Sequence, residues 1–124
     1  YRSLSAPLVV PKSLLSNNLR EKFKKLKMLD FGVGIKENHF KFYKTGAVMP
    51  KLYTLVYALS IATSGGASKI LLAGFDGYGA KDRRTKIVNE LLYLYSSFKD
   101  AKSIKAVTPS SYSIASSSIY ALQN

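Results

Sequence analysis

A single acidic residue in a glycine-rich loop is the feature of this sequence best suited to chemistry. Asp76 lies in the loop at residues 74–79, directly after an apolar run at residues 69–75. Such a run is typical of a strand buried on both faces of a parallel sheet. Because these sheets bind ligands beyond the carboxyl ends of their strands, the loop falls on the ligand side. Asp76 can then bind sugar hydroxyls or a metal, or act as an acid–base group; alternatively it only caps the turn.

The glycines of this loop, among them Gly74 and Gly77, allow the backbone to approach a ligand closely. A second polar loop, at residues 108–113, follows a strand predicted at residues 102–107. Its hydroxyls and free amides can hold a phosphate or a nucleobase, or they can form a simple polar turn. Since both loops follow parallel strands, we expect them to meet at one edge. The candidate ligand-binding residues of the second loop are Thr108, Ser110, Ser111 and Tyr112.

Two further places can bind an anion. Thr45 and Gly46 precede a predicted buried helix, and the first amides of a helix attract negative charge. Arg83 and Arg84 fall at the start of a later helix, where cations oppose the helix dipole. This placement indicates either that an anion compensates the arginines or that they extend into solvent.

The residue types also exclude several kinds of site. The chain has no cysteine, so it has no disulfide, thiol nucleophile or cysteine metal site, as suits a reducing cytoplasm. His39 is the single histidine, and we interpret it as a loop residue. No serine–histidine–aspartate order is present. We therefore predict no metal centre, and no cofactor is implied by residue types alone.

The net charge of +12 indicates an attraction to polyanions such as nucleic acid, anionic lipid or phosphorylated small molecules. Residues 1–51 hold 11 of the 19 basic residues and three of the seven acidic ones, with the densest cluster at residues 20–27. The alternative is a solvated lysine-rich surface. Because the basic cluster lies away from the glycine loop and has no evident aromatic platform, a nucleic-acid-binding module ranks last.

Alternating strand and helix patterns predict how these residues are positioned. Strands are expected at residues 6–10, 69–75 and 102–107, with a glycine-containing strand or loop at 28–35. Capping patterns place helix starts near Asn18, Pro50 and Asp82. The order favours an α/β, Rossmann-like three-layer domain with a small, mainly parallel sheet. We expect residues 1–124 to form one cytoplasmic domain without a membrane span, and the start at Tyr1 indicates a C-terminal fragment of a longer protein.

Several motifs together resemble a known group. The order Thr45-Gly-Ala-Val-Met-Pro50, a buried helix, Ala-Gly-Phe-Asp-Gly-Tyr at residues 73–78 and Thr108-Pro-Ser-Ser111 resembles the second half of Campylobacter-type bacterial sialyltransferases. It is also similar to a domain behind the pyruvate-aldolase-like barrel of some bacterial surface-polysaccharide proteins, of the 4-hydroxy-2-oxovalerate aldolase type. The resemblance covers residues 45–122.

The sialyltransferase resemblance implies a cytidine-monophosphate sugar as ligand. It would place Thr45 and Gly46 near the donor and Asp76 and Tyr78 at the mouth of the site. Ser110 and Ser111 would lie near the nucleotide. Those enzymes keep a catalytic histidine between the two loops, whereas residues 79–107 here contain none. If the domain is catalytic, it would transfer a glycosyl group with Asp76 as the acid–base or hydroxyl-binding residue.

Three functions follow as hypotheses. The first is a domain of a bacterial glycan-biosynthesis protein that binds a nucleotide sugar or another phosphorylated small molecule. The second is a non-catalytic accessory domain that docks onto an upstream aldolase-type domain of the same protein or forms a homo-oligomer. The third is the basic nucleic-acid-binding module.

Overall fold

A computed structural model describes residues 6–122, so expectations about the start of the chain at Tyr1 lie outside the described residues. The described part is a mixture of short strands and helices. The strands are β1 (Leu8–Val10), β2 (Met28–Asp30), β3 (Gly32–Ile35), β4 (Lys41–Tyr43), β5 (Gly46–Met49), β6 (Lys69–Leu72), β7 (Ser103–Ala106) and β8 (Ala115–Ser116). The helices are α1 (Asn17–Lys22), α2 (Thr54–Ser64) and α3 (Arg83–Ser96), with single 3-10 turns at Lys12–Leu14 and Ile119–Leu122.

The strands form three small sheets. β1 and β2 are parallel; β5 lies between β3, which is parallel to it, and β4, which is antiparallel; β6, β7 and β8 are all parallel. The prediction of an α/β chain with mainly parallel pairing is therefore confirmed. The expected small sheet is instead divided into three within residues 6–122, and the finer Rossmann-like assignment stays a prediction.

The chain changes its sheet partner at Phe31, the one residue between β2 and β3. The Phe31 amide donates to Val10 O at 3.0 Å, and the next amide, of Gly32, donates to Thr45 O at 2.9 Å. The buried Phe31 ring packs edge-on against Tyr57, whose hydroxyl donates to Phe31 O at 2.9 Å. Burial, and then the nearby charge of Asp30, raise the pKa of Tyr57 to about 12. Phe31 thus joins two sheets to α2.

The helix boundaries follow their capping groups, with two corrections. Ser16, not Asn18, caps α1, because its hydroxyl accepts from the Leu19 amide at 3.3 Å. α2 begins at Thr54 rather than near Pro50, since β5 continues to Met49 and the chain needs the following residues to turn. The predicted cap of α3 is confirmed: the Asp82 side chain accepts from the Arg84 amide at 2.8 Å.

The core lies between α2, α3 and the inner faces of the sheets. Tyr95 of α3 is fully buried, and its hydroxyl lies 2.6 Å from Thr63 Oγ1 of α2. The same hydroxyl accepts from the Lys102 amide at 2.9 Å, just before β7. Buried polar groups are stable when they are paired in this way. One side chain therefore links both long helices to the central strand of a sheet.

The prediction that the 69–75 strand is buried on both faces is wrong. β6 ends at Leu72, and its exposure alternates: Ile70 and Leu72 pack against the core, whereas Leu71 is 39% exposed. β7 repeats this pattern, with Lys105 outward. The reason is that nothing within residues 6–122 covers the outer face of this sheet. None of the helices in the described part of the chain has the length and apolar character needed to cross a lipid bilayer.

Candidate functional site

The carboxyl ends of β6 and β7 lie side by side and bring the two polar loops together. Leu72 pairs with Ala106, and the Val107 amide donates to Leu72 O at 2.9 Å. Immediately beyond the strands, the Gly74 amide donates to Thr108 Oγ1 at 2.8 Å. The prediction that the loops at residues 74–79 and 108–113 meet at one edge is confirmed. We call these two joined loops the rim.

Ser111 fastens the two loops of the rim to each other. Its amide donates to Asp76 O at 2.8 Å, and its hydroxyl lies 2.9 Å from Asp76 O and 3.0 Å from Tyr78 O. One hydroxyl proton is therefore shared between two carbonyl groups. Both donors of Ser111 are therefore used within the protein, and its predicted contact with a ligand stays a prediction.

Gly77 allows this contact because it has no side chain. Its φ of +91° is a conformation that residues with a Cβ rarely adopt. A Cβ at this position would collide with the Ser111 hydroxyl and lie 3.3 Å from Tyr112 Cζ. Gly77 thus lets one loop approach the other, and its predicted close approach to a ligand stays a prediction.

Tyr112 belongs to the core below the rim. It is 7% exposed, and its ring packs against Phe75 with centroids 5.7 Å apart. Burial is the main cause that raises the pKa of the Tyr112 hydroxyl. Its amide donates to Ser110 Oγ at 3.2 Å. Packing accounts for the position of the Tyr112 ring, and its expected ligand contact stays a prediction.

Arg84 is a positioned cation beside the rim. Its Nε and Nη2 atoms lie 3.0 Å and 2.7 Å from the two carboxylate oxygens of Asp82. The guanidinium carbon lies 3.9 Å from the centroid of the Tyr78 ring, so the group stacks on an exposed aromatic face. Hydrogen bonds from Arg84 lower the pKa of Asp82 to about 2. The sequence placed Arg84 at the helix start, but only the fold shows its contact with Tyr78.

A hydroxyl-lined cavity of about 440 Å³ opens on the β7 side of the rim. Thr108 and Ser110, both predicted, line it together with the apolar side chains of Val107 and Ile114. Within residues 6–122, no charged side chain is among its lining residues. Three hydroxyl residues were not predicted, because the serine-rich residues 110–118 show no periodic pattern that would place them: Ser116, Ser117 and Ser118.

A smaller cavity, of about 140 Å³, lies on the other side of the 74–79 loop. The aromatic rings of Phe75 and Tyr78 form one wall, and Tyr53 and Thr54, at the start of α2, form another. Val88 and Leu91 of α3 also line it. The first turn of α2 therefore stands at the same edge as the rim.

Three other predicted residues are not placed in these cavities. The Asp76 side chain is exposed, lines neither cavity, and makes no hydrogen bond or ion pair within residues 6–122. Thr45 and Gly46 stand at the beginning of β5, at the opposite end of that strand from α2. They line a separate trough of about 410 Å³ with Gly34 and Tyr43. Neither Thr45 nor Gly46 therefore lines the two cavities beside the rim.

The residue types that commonly bind metals are dispersed in the described part of the chain. No group of three or more His, Cys, Asp and Glu residues there can hold a metal ion. His39 packs edge-on against Phe98, with ring centroids 5.7 Å apart, so it belongs to the packing around the core. Gly74 keeps its backbone role at the start of the first loop, with φ of +67°.

Comparison with protein families, curated proteins and solved structures finds no match to this chain. The sialyltransferase-like and aldolase-associated resemblances therefore stay predictions from short motifs. The function has to be argued from the geometry of the rim.

Proposed function

We propose that this domain binds a nucleotide sugar, or a related phosphorylated small molecule, at the rim. The observation that carries the proposal is the direct bonding of two polar loops at adjacent strand ends, beside the 440 Å³ hydroxyl-lined cavity. Ligand sites in parallel α/β proteins form at this edge, and cavities of this size hold small molecules. A cytidine nucleotide is the ligand favoured by the sequence resemblance.

Different side chains around the rim are suited to different parts of the ligand. The cavity offers neutral hydroxyls from Thr108, Ser110 and Ser117, which suit ribose or sugar hydroxyls. Arg84 offers a guanidinium already oriented by Asp82 and Tyr78, which suits a phosphate. Such pre-orientation lowers the entropy lost on binding. The rim thus separates a polar neutral region from a cationic one.

The function proposed for the rim is ligand binding, and catalysis would require a further group. A glycosyl transfer would need a group that accepts the proton of the acceptor hydroxyl. Asp76 is the carboxylate at the mouth of the rim, although no neighbour within residues 6–122 orients it. In any such reaction, we therefore assign hydroxyl binding or proton acceptance to Asp76. We assign recognition of the ligand to the cavity.

The test is calorimetric titration of the chain with cytidine monophosphate. Ser117→Ala removes a cavity hydroxyl whose own backbone amide already bonds Ala106 O, so the fold should be kept. We expect roughly fivefold weaker binding, the value of about one hydrogen bond. Ser68→Ala is the matched control, because Ser68 is exposed just before β6, at the other end of that strand. Absence of binding by the unaltered chain would refute the proposal.

A second candidate function is supported by the bare outer face of the β6–β7–β8 sheet. Parallel sheets are almost always covered on both faces, yet Leu71 and Lys105 point outward here. Under this proposal the domain is a non-catalytic accessory unit that packs against an aldolase-type domain of a longer protein. The chain has no cysteine, so Leu71→Cys introduces one reporter thiol.

Maleimide labelling of that thiol tests the accessory role. We expect Leu71→Cys to react readily in this chain and at least tenfold more slowly in the longer protein. Tyr93→Cys, at a side chain that is 81% exposed on α3, is the control for general access. Equal labelling of Leu71→Cys in both forms would contradict the accessory proposal and leave the binding proposal unaffected.

A further inference from the structure

The densest run of basic residues lies far along the chain from the rim, at residues 12–27, which we call the basic segment. It contains the 3-10 turn Lys12–Leu14, helix α1 and the turn that leads to β2. Its only acidic residue is Glu21, which pairs with Lys24 at 2.9 Å. All of its cations except the half-buried Lys12 are exposed. The cations are Lys12, Arg20, Lys22, Lys24, Lys25 and Lys27.

Two leucines stand exposed among these cations. Leu14 is 57% exposed and Leu19 is 39% exposed. The other apolar residues of the segment, Leu15, Phe23 and Leu26, are half-buried. The segment therefore presents apolar side chains to solvent in addition to those that attach it to the protein.

Hydrogen bonds connect the elements that carry the two leucines. Arg20 Nη2 donates to Lys12 O at 2.8 Å, which joins α1 to the 3-10 turn. The Lys12 amide donates to Asp30 Oδ1 at 2.9 Å, which joins that turn to β2. These bonds link the turn that carries Leu14 and the helix that carries Leu19 to each other and to β2.

We propose that the basic segment docks the protein onto an anionic lipid surface. Lysine and arginine side chains are attracted to anionic headgroups, and exposed leucines enter the boundary between headgroups and acyl chains. A single-stranded nucleic acid would instead need aromatic side chains on which bases stack, and Phe23, the one aromatic residue of the segment, is half-buried. The leucines thus favour lipid. This proposal does not depend on the function proposed for the rim.

Co-sedimentation with vesicles tests the proposal. We expect the chain to bind vesicles of phosphatidylcholine mixed with phosphatidylglycerol, to ignore phosphatidylcholine alone, and to be released by high salt. Lys24→Gln combined with Lys25→Gln should weaken binding by roughly fivefold for each lysine removed. The control, Lys44→Gln with Lys99→Gln, makes the same charge change at two exposed lysines outside the segment. Equal weakening by both pairs would overturn the proposal.

The leucines distinguish lipid from other polyanions. Leu14→Ser with Leu19→Ser keeps the charge, and both sites are exposed, so the thermal unfolding midpoint should be nearly unchanged. We expect this pair to lose vesicle binding at least tenfold. Retained vesicle binding by the leucine pair would overturn the proposal. So would equal affinity of the unaltered chain for single-stranded DNA at the same salt concentration, or failure to bind anionic vesicles.

Discussion

The hydroxyl of Ser111 lies 2.9 Å from the carbonyl oxygen of Asp76, across 35 residues of sequence. This contact, with the bond from the Ser111 amide to the same carbonyl, fixes the loop that carries the only carboxylate of the rim. The shape of the rim therefore depends on Ser111, whose hydroxyl donates to backbone carbonyl groups of the same chain. Substitutions that break the contact should alter the conformation of the rim while the packing of the core is kept.

Ser111→Ala should lower the free energy of unfolding by about 1–2 kcal/mol, because the Asp76 and Tyr78 carbonyls lose a shared hydroxyl donor. Urea unfolding followed by circular dichroism measures this change. Ser113→Ala is the control, since only the backbone amide of Ser113 is used, in a bond to Asn89 Oδ1. Equal effects of the two substitutions would show that the Ser111 hydroxyl does not hold the loops.

Gly77→Ala should be more disruptive than Gly79→Ala. At Gly77 the new methyl group meets Ser111 and a positive φ, whereas at Gly79 a Cβ would have open space around it, with no non-neighbouring atom of residues 6–122 within 4 Å. We expect Gly77→Ala to cost about 1–3 kcal/mol and Gly79→Ala to be nearly neutral. Thermal unfolding of both variants provides the comparison, and similar midpoints would argue against the close approach of the two loops.

Tyr95→Phe should destabilise the core by about 1–3 kcal/mol. The substitution keeps the ring but leaves Thr63 Oγ1 and the Lys102 amide without their shared partner. Tyr93→Phe, two residues away and 81% exposed, should have almost no effect. Chemical denaturation measures both, and a neutral Tyr95→Phe would mean that water replaces the lost hydroxyl.

The pKa of Asp82 should depend on Arg84. Hydrogen bonds from Arg84 lower the pKa of Asp82 from its ordinary 3.8 to about 2. Because the folded-state pKa is depressed, the stabilising contribution of this carboxylate is complete above about pH 4 and is lost as the pH falls towards 2. In an NMR titration Arg84→Gln should return the Asp82 pKa towards 3.8.

Arg83→Gln is the matched control for that titration, because it removes the same charge one residue away. We expect it to leave the Asp82 pKa low. A similar upward shift in both variants would mean that general charge, rather than the Arg84 hydrogen bonds, sets the value.

The sequence predicted those features that depend on local chemistry. Asp82 caps α3 as its spacing indicated, and the two loops meet because parallel strands end at one edge. Burial was harder to predict. The run around Leu71 is apolar on both faces, and its composition does not reveal whether another layer covers the sheet.

The predicted positions of some residues differ from the structure where a short strand changes the direction of the chain. Thr45 and Gly46 precede α2 in sequence, but β5 carries the chain away from them before the helix begins. Ser116 and its neighbours were not assigned to the cavity because β8 has only two residues, too few to show an alternating pattern. Asp76 is exposed beyond the end of β6, and its role as a site residue stays a prediction.

The change of strand partner at Phe31 separates the β1–β2 sheet from the other two sheets. The pairing of β1 with β2 ends on one side of this residue, and the pairing of β3 with β5 starts on the other. Residues 6–30 therefore share no strand pairing with the other two sheets, and Val9 is among the side chains that pack this part against the core. We expect this part, which includes the basic segment, to open first in hydrogen exchange, while the amides of β6 and β7 stay protected.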